Sequence, residues 1–499
     1  MSNISIERTS GKADVVSANR WLVLVGAIIV QLVLGTVYGY SIFWQPLEAE
    51  VGLAQNQANY AFAICVLSFA VVMVIAGRVQ DMLGPRVPAI IGACLMGGGF
   101  LVAGLMDNVI VFHLAHAAFT GAAAIVALML FHAVTARMDL KDSPLVQYVP
   151  FGIVTASVVA GVVLGNQYVG ESGERDRLFL LWGTVGFMAG AGIGFAYVCP
   201  IAALVKWFPT QKGLVSGVAV AGFGLGAYLF SHKSLPISAE SFIREYGIVS
   251  LFVVHGIVSL IGITLGALLL KNPPEAQTAG GSTDSSWQDT LRRPTFWVLW
   301  LMYFSGAMAG LMVIGILKPF AGSQLVTAAG GAGAITSAEQ AELLAQGVAA
   351  VGWLAIFNAV GRVVWGFVSD RIGRTPAFVA MFLFQAVVMA VLAGLDRTLT
   401  LAVGASLVGF NYGGCFALFP SATADLFGAK NLGANYGWLF TSYGIAGVVG
   451  IYLPNKAMEL TGSYLPSFLI AAGLCIASAA LAVALKVATA RREAATAAA

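Results

Sequence analysis

Charge is what this 499-residue chain lacks. Only 10% of its residues are Asp, Glu, Lys or Arg, 59% are hydrophobic, and the mean hydropathy is +0.87. A soluble chain is about 25% charged and about 45–50% apolar, so this one has too few charges to cover a folded surface in water. A cysteine framework is missing too. Cys65, Cys94, Cys199, Cys415 and Cys475 stand singly in apolar runs at unrelated spacings, which fits small hydrophobes rather than disulfides or metal ligands. The net charge of +3 comes without a dense basic cluster, which argues against nucleic acid as a partner. No G-x-x-x-x-G-K-[ST] loop occurs, which argues against ATP-driven pumping. The residues up to Arg20 are polar, and no signal-peptide apolar region precedes the first long apolar run.

Long apolar runs are what the chain has in abundance. A bilayer core of about 30 Å needs roughly 20 apolar residues per helix. Runs at about 21–43, 59–76, 87–106, 109–135, 148–167, 178–204, 213–231 and 248–270 meet this. After a polar stretch at 271–294, further runs lie at about 295–316, 345–366, 376–395, 399–419, 434–454 and 465–486, fourteen in all. The 59 glycines are scattered through these runs, as suits close helix packing; Gly190, Gly194, Gly222 and Gly226 recur at four-residue spacing. With a cytoplasmic N-terminus, 18 of the 26 basic residues fall on inside segments, which predicts both termini in the cytoplasm. The expected organisation is a tail (1–20), a first bundle (21–270), a central loop (271–294), a second bundle (295–488) and a tail (489–499).

A repeat marks the two halves. Gly77, Asp81, Gly84 and Arg86 follow the second run, and Gly366, Asp370, Gly373 and Arg374, with Arg371 between, follow the second run after the central loop. Both read G-x-x-x-D-x-x-G with a trailing arginine. Parallel halves joined by a polar linker are a plan of secondary transporters. An Asp at such a turn can pair with a neighbouring helix end in one state and release it in another.

No run holds a carboxylate near its middle, and Arg362 is the one basic residue inside a run. A charge near the bilayer centre costs at least about 2.5–3.5 kcal/mol. Arg362 lies eight residues before Asp370, roughly 12 Å along a helix. Its counter-ion is therefore expected to be an anionic substrate, and a guanidinium fork suits a carboxylate. The alternative is an arginine that snorkels inward or bonds to backbone carbonyls.

The paired motif resembles that of the major facilitator superfamily. Further segments narrow the likeness: LGTVYGYSIF from Leu34, GFAYVCP from Gly194, VKWFP from Val205, GLVSG from Gly213, AGFG from Ala221, GFNYGG from Gly409 and GANYGW from Gly433. Together they resemble the oxalate/formate antiporter family, relatives of the monocarboxylate transporters, over nearly the whole chain apart from about 107–177. The resemblance implies an all-α polytopic fold of two six-helix bundles around a central cavity. Members have twelve helices, so the runs at 109–135 and 148–167 are expected to form an inserted helical hairpin; one distorted helix with a re-entrant segment is the alternative. His113, His116 and His132 lie there without a carboxylate or cysteine partner, so no metal site is expected.

The resemblance makes Arg362 the family's substrate-binding arginine. Asn358 stands where the monocarboxylate transporters carry a proton-coupling aspartate, and Tyr40 stands near their first-helix lysine. Thr441 maps near a lysine of the oxalate exchanger, and no basic residue occurs between Asn431 and Asn455. A single fixed cation favours a monocarboxylate over a dicarboxylate. Tyr38, Tyr40, Tyr197, Asn411, Tyr412, Trp438 and Tyr443 are candidates for the cavity wall, offering apolar faces with hydrogen-bonding ends. Gln31 and Asn358 can also serve as interhelical hydrogen bonds.

The expected protein is thus a carrier of small organic anions in a cytoplasmic (inner) membrane, monomeric and without cofactor. It would work by alternating access, with exchange or uniport preferred. A proton-coupled symporter is the alternative, with His255 as the in-span residue able to carry a proton. A non-transporting sensor on the same scaffold is the alternative of another class. No nucleophile–base pair or metal set suggests an enzyme.

Overall fold

The computed structural model describes residues 20–53, 55–104, 173–231, 238–274, 284–331 and 334–498. Twelve helices among them are long and apolar enough to span a membrane. They are α1 (Arg20–Tyr40), α2 (Tyr60–Leu83), α3 (Arg86–Ala103), α4 (Arg177–Trp207), α5 (Lys212–Phe230) and α6 (Ala239–Leu269). The second set is α7 (Pro294–Leu317), α8 (Gly352–Ile372), α9 (Arg374–Leu392), α10 (Thr398–Phe427), α11 (Leu432–Thr461) and α12 (Leu465–Val487). Each matches a run read from the sequence. The two remaining expected spans, at 109–135 and 148–167, lie outside the described residues with His113, His116 and His132.

The element type follows from the solvent. In hydrocarbon every backbone N–H and C=O must be satisfied within its own segment, which leaves helices for chains of this hydropathy. Outward faces carry residues such as Val71, Ile75, Leu265, Val387 and Ile476, while small and aromatic residues turn inward. In the first six helices α3 packs on α4 and α6, and α2 on α4; in the last six α8 packs on α10, α7 on α11 and α9 on α12. The two sets meet chiefly along α5–α8 and α2–α11, with α10 also against α5.

Two irregularities shape the centre. The end of α1 winds as a 3-10 helix over Thr36–Phe43, followed by a short helix, Trp44–Val51. Within that segment Tyr38 packs on Phe223 of α5, while Tyr40 packs on Phe43 and Phe62. Helix α6 is broken at Gly247, whose φ is +80°, and the Glu50 carboxylate accepts the freed Ile248 N–H at 2.8 Å.

The repeated motif has a division of labour. A Cβ on Gly77 would overlap the Gly433 carbonyl of α11, and one on Gly366 would overlap the Gly213 carbonyl at the start of α5. The first glycine of each copy thus sets how closely the halves approach. The last glycine makes the turn: Gly84 has φ +79° and Gly373 +90°, a region costly for any side chain. Gly366→Val or Gly77→Val is expected to destabilise the closed form by about 1–3 kcal/mol, read as a lower thermal midpoint in detergent. Gly352→Val, where nothing lies within 4 Å of an added Cβ, should leave it unchanged; equal shifts at all three sites would contradict this packing.

Candidate functional site

Arg362 sits at the middle of α8 and is fully enclosed, with 0% exposure. Its Nε donates to Asn358 Oδ1 at 3.0 Å, one turn earlier on the same helix. One terminal nitrogen, Nη1, donates across the meeting line to the Val220 carbonyl of α5 at 2.6 Å. The other, Nη2, is buried and has no hydrogen-bond partner. The guanidinium carbon lies 4.4 Å from the centre of the Phe416 ring and 5.7 Å from that of Phe223. Among the described residues the ion pairs belong to other cations, so no carboxylate answers this charge. Backbone bonding, the sequence alternative, accounts for one nitrogen of three. Cation–π contact in a dry site is worth about 2 kcal/mol, which offsets the burial of the charge only in part.

Tyrosines from both halves line the same region. The Tyr38 and Tyr443 hydroxyls hydrogen-bond each other across the halves, and Tyr412 donates to Tyr443 at 3.5 Å. Tyr303 and Tyr436 share a hydrogen bond of 3.1 Å. The buried Tyr197 hydroxyl lies near Tyr436 without reaching hydrogen-bond geometry. Phe69, Phe223, Phe416 and Phe440 fill the space between these rings. The lining is apolar by area, with hydroxyls and one guanidinium as its polar points.

At one end of the molecule the motif carboxylates close the halves on each other. Asp370 accepts the N–H groups of Gly213 (2.9 Å) and Leu214 (2.7 Å) at the start of α5. Asp81 does the same for Gly433 (3.1 Å) and Ala434 (2.7 Å) at the start of α11. Each carboxylate thus satisfies orphan amides and the positive end of a helix in the other half. Arg374 bridges Asp370 and Asp425, each at 2.8 Å, and Lys212 adds a 2.6 Å pair to Asp425. Arg371 instead covers the Phe367 ring, and Arg86 donates to the Leu270 carbonyl within the first half.

Four of the sequence candidates stand apart from Arg362. Tyr40 packs on Phe43 and Phe62. Trp438 stacks on Trp287 of the central loop. Thr441 accepts from the Trp300 indole at 2.9 Å, and Asn411 accepts from the Trp365 indole at 3.1 Å. Gln31 donates to the Tyr197 carbonyl, an interhelical bond as expected. His255 is wedged between Phe100 and Phe230, its Nε2 3.2 Å from the Thr36 hydroxyl, within the first half. The sequence reading missed Phe416, Phe223, Phe440, Tyr303 and Tyr436. Helical spacing carried a signal for two: Tyr436, Phe440 and Tyr443 fall at steps of four and three on one face of α11.

Twelve spans among the described residues, in two interlocked sets with Arg362 buried where they meet, define a helical membrane carrier. The chain belongs to the Major Facilitator Superfamily, whose sequence profile matches residues 146–338 and 325–499, more than half of its length. It is 26% identical to the oxalate:formate antiporter of Oxalobacter formigenes over 88% of this chain and 85% of that one. It is 27% identical to the uncharacterized MFS-type transporter YhjX of Escherichia coli, over 86% of each. It is 27% identical to apicoplast pyruvate carrier 1 of Toxoplasma gondii, over 66% of this chain and 68% of that one. Among solved structures, the outward conformation of FucP aligns with a TM-score of 0.56 at 14% identity, over 93% of this chain and 98% of that one. The proton:xylose symporter XylE gives 0.57 at 13%, over 93% and 95%. The family and fold are those of transporters and not of enzymes, and the protein is a multi-pass membrane transporter.

Asp370→Asn is expected to weaken the hold on α5, because bonds to a charged acceptor are worth about 1.5–3 kcal/mol. Hydrogen exchange of the peptide containing Gly213 and Leu214 should then speed up by about tenfold or more. Asp425→Asn leaves both N–H bonds in place and should change it little; unaltered exchange in Asp370→Asn would show the cap to be inert.

Proposed function

We propose that this protein carries small monocarboxylates across a cytoplasmic membrane by alternating access, exchanging one anion for another. The observation that supports this most is the buried, unpartnered Nη2 of Arg362. With Nε held by Asn358 and Nη1 by Val220, the guanidinium is oriented with one donor left over. A carboxylate oxygen is the group that satisfies both its charge and its hydrogen bond. An anion with one carboxylate fits better than one with two, since the tyrosine cage offers no second cation among the described residues. Thr441, where a second cation would fall by resemblance, is bonded to Trp300. Among the relatives, one is named for pyruvate, a monocarboxylate, and another for both oxalate and formate.

Exchange follows from the same atom. To change sides the site must pass through a closed form, and closing it empty leaves a charged donor unsatisfied at a cost of about 1–3 kcal/mol or more. Closing it around a carboxylate avoids that cost, so the loaded carrier reorients faster than the empty one. Asn358 cannot ionise, and His255 contacts Thr36, Phe100 and Phe230 instead, so among the described residues no carboxylate or imidazole sits on the cation. The bundles 21–270 and 295–488 would rock about this site, with Asp81 and Asp370 as the cytoplasmic gate. That end carries Arg78, Arg86, Lys206, Lys212, Lys271, Arg371, Arg374 and Lys430, as a cytoplasmic face should. Both tails would lie on the same side.

Proteoliposome uptake of labelled formate, lactate, pyruvate and oxalate tests the assignment. Arg362→Ala should lower monocarboxylate uptake by about ten- to a hundredfold. Arg362→Lys should recover little, because an ammonium lacks the planar fork that meets Asn358, Val220 and substrate together. Asn358→Asp should place a carboxylate on Arg362, making uptake weak at neutral pH and stronger as acid neutralises it. Unchanged uptake in Arg362→Ala, or a wild-type protein that requires an inward proton gradient, would overturn the reading.

A further inference from the structure

The central loop returns to the second half before α7 begins, and its last residues are bound rather than merely connecting. Ser285 N–H donates to the Phe427 carbonyl at 2.9 Å, while its own carbonyl accepts from the side-chain amides of Asn431 (3.0 Å) and Asn435 (3.2 Å). The Asp284 carboxylate accepts the Lys430 N–H at 3.3 Å and lies where a Cβ on Gly428 would be, at a backbone φ of +86°. Ser286 then caps a short helix, Trp287–Arg292. These contacts fix the segment to the α10–α11 turn, so it moves with the second half.

Its other face meets the first half. The Trp287 ring is stacked on Trp438 of α11, with centroids 5.8 Å apart and planes at 21°, and the Arg78 guanidinium of α2 lies 6.0 Å from its centroid. Arg78 is one turn before Asp81, the carboxylate that caps α11. When the halves part at this end, Trp287 keeps Trp438 and loses Arg78. A contact made in one state only biases the equilibrium between states.

We infer that the Asp284–Arg292 segment is a latch that holds this end of the carrier closed, with Trp287 engaging Arg78. The latch acts on closure and not on the anion, so it stands or falls independently of the substrate assigned above. An exposed cation–π contact of this kind shifts an equilibrium by about two- to fivefold.

The test needs no substrate. Spin labels placed by Met82→Cys and Ile372→Cys, both exposed and on opposite halves, report the separation of this end in lipid nanodiscs by pulsed electron resonance, in a Cys94→Ser background. Trp287→Ala and Arg78→Ala should each raise the long-distance population about two- to fivefold, and the double variant should do no more than either alone. Trp287→Phe, which keeps a ring, should fall between. Asp81→Asn is the positive control for opening. If Asp81→Asn opens this end while Trp287→Ala and Arg78→Ala leave the distances unchanged, or if their effects simply add, the latch is wrong. Trp287→Ala that shifts distances while Arg78→Ala does not would likewise overturn it, assigning Trp287 to packing on Trp438 alone.

Discussion

A full positive charge is buried at the centre of this protein with no carboxylate among the described residues to meet it, and the rest of the structure is arranged around that fact. Hydrocarbon and close-packed helices exclude water from Arg362, so its stabilisation has to come from geometry. Asn358 and the Val220 carbonyl take two of its nitrogens and Phe416 takes one face. Together they leave the charge held in one orientation and incompletely satisfied. The same bond to Val220 crosses from α8 to α5, so the binding group is also a strut between the halves. An anion competing for the guanidinium therefore acts on the interface that must move.

The two motif carboxylates solve a related problem at the end of the molecule. Helix starts leave N–H groups without partners, and where two such starts abut another half, a carboxylate from that half can answer them. Asp81 and Asp370 each do this for a pair of amides, at positions equivalent in the two halves. The glycines one turn before them let the backbones come close enough for the bond to form. Closure at this end is thus made of polar bonds that water can replace, which suits a contact that is repeatedly broken. The two gates are not identical: the Asp370 side carries Arg374, Asp425 and Lys212, whereas the Asp81 side borders the central loop.

Hydropathy made the spans legible, because a bilayer imposes one length and one element type on every crossing. Arg362 was legible because a lone cation in an apolar run conflicts with its surroundings. The gate was legible from a repeat, though the repeat did not show that its first glycine serves an interface and its last a turn. The wall of the site was only half legible. A tyrosine on an apolar helix reads the same whether it faces a partner helix, a loop or the cavity, so Tyr38 and Tyr40 look alike in sequence although Tyr38 meets Tyr443 and Tyr40 packs on Phe43 and Phe62. Trp438 and Thr441 answer tryptophans, Trp287 and Trp300, that are distant in sequence. Phe416 was invisible as a binding residue because nothing in its neighbourhood marks it as lying under a guanidinium from another helix.

The central claim is that a carboxylate relieves the buried guanidinium and thereby permits the closed form. Trans-stimulation tests it most directly: efflux of labelled pyruvate or formate from proteoliposomes, with and without the same unlabelled anion outside. A cost of about 1–3 kcal/mol for closing the empty site predicts that external anion accelerates efflux by about five- to a hundredfold, and that it does so equally with or without a pH gradient. Efflux that proceeds at the same rate into anion-free medium would show that the empty carrier reorients freely, and would contradict the account.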